Sequence, residues 1–153
     1  MRDLLGAFRR RPFLTPTERT QIEAGLATAR RHAGAPIALV IDQRAAADPE
    51  GRARQLFQDW KLADAERSRA ILLYACAATR RFAVVGGDEI RRVASQAAWD
   101  NLRRDLTRHF EEERYCDGLF KAVAAAAILQ GSAFAATSRC HSQPPPPPEG
   151  SCR

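Results

Sequence analysis

ILLYACAATRRFAVVGG, residues 71–87, decides how this chain folds. It holds two apolar runs, over residues 70–76 and 81–85, each strand-length and bounded by polar or glycine residues. Between them, Ala77-Ala78-Thr79 is long enough for a hairpin and too short for a crossover, so the two runs are expected to pair antiparallel, with Cys76 opposite roughly Arg80. Upstream, residues 37–41 (IALVI) form another continuous apolar run, which predicts a strand covered on both faces. After the Asp48-Pro49 turn, residues 50–61 set Ala53, Leu56, Phe57 and Trp60 at helical spacing. Strand, helix and strand together make a βαβ unit, whose strands are expected to be parallel with a right-handed crossover.

The flanks complete the pattern. Thr15-Pro16-Thr17-Glu18 is a capping box with proline at the first helical position, which predicts a helix over residues 16–32, closed by Gly34. Beyond the hairpin, Trp99, Leu102, Leu106 and Phe110 mark a long helix from Ser95, and Leu119, Val123 and Ile128 mark a last one over residues 115–130. The expected organisation is a basic mobile leader over residues 1–13, one domain over 14–130, and a disordered proline-rich tail over 131–153. Trp60 and Phe82 are expected in the core, Phe82 on a central strand.

The formal charge of +6 rests on arginine, since Lys61 and Lys121 are the only lysines among 24 basic residues. Arginine alternates with acids, as in Asp100, Arg103, Arg104, Asp105 and Arg108. That spacing describes a solvated helix face, and no recognition helix or aromatic-basic motif is legible, so no nucleic-acid partner is expected. The four cysteines, at 76, 116, 140 and 152, lack CxxC spacing and follow no secretory signal, which argues against a zinc site and a disulfide framework. No stretch reaches the roughly 18 apolar residues of a spanning helix. A reduced, cytoplasmic setting is expected, with peripheral membrane association still open.

The hairpin also decides which polar residues meet. The start of the second strand lies opposite the end of the third, so Asp64 and Glu66 are expected beside Asp88 and Glu89 at one sheet edge, while Asp42 goes to the other. Carboxylates and loop carbonyls, with Gly86 and Gly87 turning the latter inward, are what a hard divalent cation such as calcium selects. A structural alternative has Asp88 as N-cap of a helix beginning at Glu89. A phosphate on the glycine amides is a third reading, opposed by the two adjacent acids.

With these segments in order, the chain resembles the TPM domain family, the TPM-type phosphatase-like domains. FLTPTE at residues 13–18, LFQDW at 56–60, the hairpin at 71–87, Trp99 and HFEEERYCDGL at 109–119 carry the resemblance. It implies a three-layer α/β/α sandwich around a small, mixed, twisted sheet. It also implies possible roles in divalent metal binding, acid phosphatase activity, or upkeep of membrane or protein complexes. The chain departs from the family's usual pattern at one edge. Ser-Gly-Glu before the first strand is here Gly34-Ala35-Pro36, Asn-Gly entering the second is Arg69-Ala70, and Gly-Asp after the third is Gly86-Gly87-Asp88. Arg69 is placed to stand where a metal would, paired with Asp88 or Glu66. Two functions follow as expectations. One is a binding or accessory module for a protein partner, with a degenerate metal site. The other is a calcium-dependent acid phosphatase-like hydrolase around Glu66, Asp88 and Glu89.

Overall fold

A computed structural model describes residues 12–140, and side chains over 12–134. Helix α1 (Pro16–Ala33) opens with the capping box expected of it: Glu18 N–H donates to Thr15 Oγ1 at 3.2 Å and Thr15 N–H to Glu18 Oε2 at 2.8 Å. Gly34 closes it at φ 64°, a left-handed conformation that favours glycine. Strand β1 (Ile37–Asp42) leads to α2 (Pro49–Asp59), capped by Asp48 on the Gly51 N–H. A short helix α3 (Asp64–Arg69) precedes strand β2 (Ile71–Cys76), which turns into β3 (Arg81–Gly86). Helices α4 (Asp88–Val93), α5 (Gln96–Glu111) and α6 (Tyr115–Cys140) complete the described residues.

The sheet order is β1-β2-β3, with β1 and β2 parallel from Ile37↔Ile71 to Asp42↔Cys76, and β2 and β3 antiparallel from Ile71↔Gly86 to Cys76↔Arg81. Alternation along the strands builds two cores. Ile37, Ile71, Leu73 and Val84 join α1, α5 and α6 on one face, around Ile22, Leu102, Leu106, Phe110, Leu119 and Val123. Leu72, Tyr74, Cys76 and Ala83 meet Ala53 and Phe57 of α2 on the other. The result is the three-layer sandwich around a small mixed sheet.

Several expectations are corrected. The hairpin register is one residue further on than expected, with Cys76 opposite Arg81. Arg80 itself sits in the turn at φ 56°, its guanidinium over the rings of Phe13 and Tyr115. Because β2 is the middle strand, Phe82 lies on an edge strand and is only partly buried, as is Trp60. Helix α3 has no buried residue and therefore no apolar stripe to read. It is held by Arg67, which donates to the carbonyls of Phe57 (2.7 Å), Gln58 (2.9 Å) and Trp60 (2.7 Å) at the C-terminus of α2. Helix α6 does not end near Gln130: it continues to Cys140, with Ala133 buried and Phe134 packed on the core. Phe13 and Leu14 are also buried, so the core takes in the last residue assigned to the leader. The rest of the leader, residues 1–11, and the polyproline tail at 141–153 lie outside the described residues.

Candidate functional site

The edge at which the acids were expected is built by α3 and α4, brought side by side where β2 begins and β3 ends. Gly87 makes that approach possible. A Cβ there would collide with the backbone of α3 at the Arg67 carbonyl and, at 2.5 Å, with the Ser68 carbonyl carbon and oxygen. The Gly87 N–H donates to the Ala70 carbonyl at 3.0 Å. Gly87, not Asp88, occupies the cap position of α4, and Asp88 is its first helical residue, without a side-chain cap bond. Gly87 therefore serves close backbone packing, and its amide is already used.

Of the four acids, the structure commits Glu89 most fully. Arg69 reaches it bidentately, Nε to Oε2 and Nη2 to Oε1, both at 3.0 Å, and Ser68 Oγ adds a bond at 3.2 Å. Arg69 holds the Glu89 carboxyl below the usual carboxylate range, against the opposing effect of burial. The sequence reading had the right cation with a different partner: Arg69 takes Glu89, not Asp88 or Glu66. Glu66 turns back along α3 to accept from the Ala63 N–H at 3.3 Å. Asp64 is exposed at the start of α3, and Asp88 is exposed at the start of α4. Among the described residues, no group of three or more His, Cys, Asp or Glu side chains is placed to hold a metal ion. As arranged, these residues do not fit a divalent cation: both Glu89 oxygens face a guanidinium, which would repel one.

Helix α6 seals the edge from behind. Gln130, fully buried, donates from Nε2 to the carbonyls of Pro36 (3.1 Å) and Arg69 (2.8 Å), tying together the entries to β1 and β2. The Arg69 guanidinium lies 4.6 Å from the centroid of the Phe134 ring. The Phe134 contact comes from the part of α6 beyond Gln130, to which periodicity did not extend the helix.

A concavity lies elsewhere, along β3. A groove of about 580 Å³ is floored by Ala83, Val84, Val85 and Gly86, and its flanks carry Glu50 and Arg54 of α2, Asp88, Arg91 and Arg92 of α4, and Trp99 and Arg103 of α5. The sequence pattern placed Arg103 on a solvated face and said nothing of Arg54, Arg91 or Arg92. The available signal was topological: the strand after a hairpin in a three-strand sheet is an edge, and the helices that follow it must border that edge.

Opposite, at the C-terminal ends of β1 and β2, Asp42 Oδ2 accepts from Tyr74 Oη at 3.2 Å. The Arg44 N–H lowers the Asp42 pKa, with further help from Tyr74 and Arg52. Burial and Asp42 push the Tyr74 phenol up to about 12.

The model of the TPM domain matches residues 9–128. The chain belongs to the TPM domain family. Solved structures similar to this TPM domain include the BA42 protein of the psychrophilic bacterium Bizionia argentinensis, at 21% identity and a TM-score of 0.69, covering 82% of this chain and 86% of that one. The N-terminal domain of a protein from P. gingivalis matches at 19% identity and 0.63, covering 80% of each chain. The N-terminal domain of the cg2496 protein from Corynebacterium glutamicum matches at 17% and 0.55, covering 92% of this chain and 83% of that one. No curated protein matches the chain. At these identities the likeness shows the fold. Among the described residues of the TPM domain, no helix is long and apolar enough to cross a membrane.

Proposed function

We propose that this TPM domain acts as a binding or accessory module for a protein partner, in the upkeep of a membrane or protein complex, and not as a calcium-dependent phosphatase. The observation that supports this reading is the bidentate Arg69–Glu89 pair, with Ser68 on the same carboxylate. The guanidinium occupies both oxygens of Glu89, which leaves that carboxylate no free oxygen for a divalent ion and opposes one nearby. Ser68 meets Glu89 at the edge, but Arg69 holds that carboxyl below its usual range and so makes it a poor base, and neither His32 nor His109 lies there. His109 is buried in α5, with Nδ1 2.7 Å from the Asp105 carbonyl and Nε2 3.4 Å from Lys121 Nζ, and His32 Nδ1 lies 2.9 Å from the Thr28 carbonyl. The setting proposed is the reducing cytoplasm, where Cys76 and Cys116 stay thiols, as they are here.

The test is hydrolysis of p-nitrophenyl phosphate at acid and neutral pH, with calcium, magnesium, manganese or zinc added in turn. Turnover should stay at background and be indifferent to a chelator. Metal-dependent turnover that Asp88→Ala removes would restore the hydrolase reading.

A further inference from the structure

The groove along β3 has a backbone as its floor, and the direction of that backbone can be read from the hairpin. Gly87 N–H donates to the Ala70 carbonyl, so residues 70 and 87 form a hydrogen-bonded pair one step beyond Ile71↔Gly86. In an antiparallel ladder such pairs alternate. Residues 81, 83 and 85 therefore point their N–H and C=O groups at β2, while Phe82, Val84 and Gly86 point theirs away from it, and of these Val84 and Gly86 line the groove. Among the described residues, no strand pairs with that edge.

The other edge is different. Ile71 N–H donates to the Pro36 carbonyl, so the Ile37 carbonyl points outward from β1, and Arg30 Nε already donates to it at 2.9 Å.

The flanks of the β3 groove define the charge of an occupant. Arg54 is paired with Glu50 at 3.4 Å. Arg91, Arg92 and Arg103 have no carboxylate within ion-pair distance among the described residues, and all three are exposed. Against them the groove sets the single remaining acid, Asp88. Trp99 lies over Gly86, where an added Cβ would come within 2.7 Å of Trp99 Cη2, so the end of the strand presents bare backbone beneath an aromatic wall.

From the open ladder and three arginines set against one acid, we infer that the β3 edge receives an extended, acidic segment of a partner protein as a fourth strand. Outward groups at 82, 84 and 86 form the ladder, and alternate carboxylates of the incoming strand meet Arg91, Arg92 and Arg103. The chain's own termini do not suit the edge. Residues 1–11 carry Arg2, Arg9, Arg10 and Arg11, of like charge to the groove, and residues 144–148 are prolines, which lack the N–H a ladder needs. A second copy would set two arginine-lined grooves against each other. The inference rests on the binding-module reading and names the partner's chemistry.

The experiment titrates the isotope-labelled full chain with a capped peptide of about seven residues alternating glutamate and valine, a length that covers the four groove-lining strand residues. Saturable amide shifts centred on Phe82, Val84 and Gly86 are expected, with a micromolar Kd. The double variant Arg91→Glu/Arg92→Glu, at exposed positions, should keep its spectrum and bind about tenfold more weakly or worse. N-methylating alternate peptide residues on the ladder side should abolish binding. The absence of saturable shifts would overturn the inference. So would equal binding by the N-methylated peptide, which would mean charge contact without a ladder, or the same shifts from inorganic phosphate, which would mean a small-anion site. Metal-dependent phosphatase turnover measured on the same sample would remove the binding-module reading, whereas a failed titration without turnover removes this inference alone.

Discussion

At the scale of single residues, Arg69 takes both oxygens of Glu89, and its effect is measurable as a linkage. Glu89 has its folded pKa lowered from 4.5 by the Arg69 hydrogen bonds, so it contributes stability that is present above pH 4.5 and is lost as pH falls through the lower folded value. Arg69→Met should therefore be less stable than the parent at neutral pH, with the gap closing below pH 4.5; chemical denaturation across that range measures it. The gap should be modest, since the pair is partly solvated. Tyr74 has the opposite sign. Its phenol is raised from 10.0 to about 12, so stability should fall as pH rises from 10 towards 12. Tyr74→Phe should remove that alkaline loss, at a cost of about 1 kcal/mol at pH 7 for the bond to Asp42.

At the scale of elements, position in the sheet ranks the side chains. Leu73, on the middle strand and almost fully buried, should cost about 3 to 5 kcal/mol as Leu73→Ala. Phe82 is on the edge strand, half-buried, with one T-shaped contact to Phe110 at 5.1 Å, so Phe82→Ala should cost less, about 2 to 3 kcal/mol. The reverse order in urea melts would contradict the strand order. These strands were legible because an apolar run reports burial, and the capping box and Trp99-Leu102-Leu106-Phe110 were legible because helix caps and periods are local. Helix α3 was not, since Arg67 holds it by bonds to carbonyls up to ten residues away, which no stripe in DAERSR announces. That the start of β2 lies beside the end of β3 was legible from the hairpin. The choice of Glu89 by Arg69 was not, because it depends on where the first turn of α4 points after Gly87 packs on α3.

At the scale of the whole molecule, α6 closes the domain, reaching the entries of both parallel strands through Gln130 and the Arg69 side chain through Phe134. A chain ending at Gln130 should therefore melt roughly 5 °C or more below one ending at Cys140, since it loses buried Ala133 and the Phe134 packing. Differential scanning of the two truncations checks this, and equal melting temperatures would mean the last turns of α6 add nothing. The same closure keeps Arg69 against Glu89, so the acidic edge and the end of α6 act as one unit, while the β3 groove remains open to a partner. The most direct measurement is a calorimetric calcium titration of the unmodified chain beside Arg69→Asn. The Arg69–Glu89 pairing predicts no calcium heat for the parent up to about millimolar concentration, and a weak appearance of binding once the guanidinium is gone. Submicromolar binding by the parent, abolished by Asp88→Ala, would contradict it.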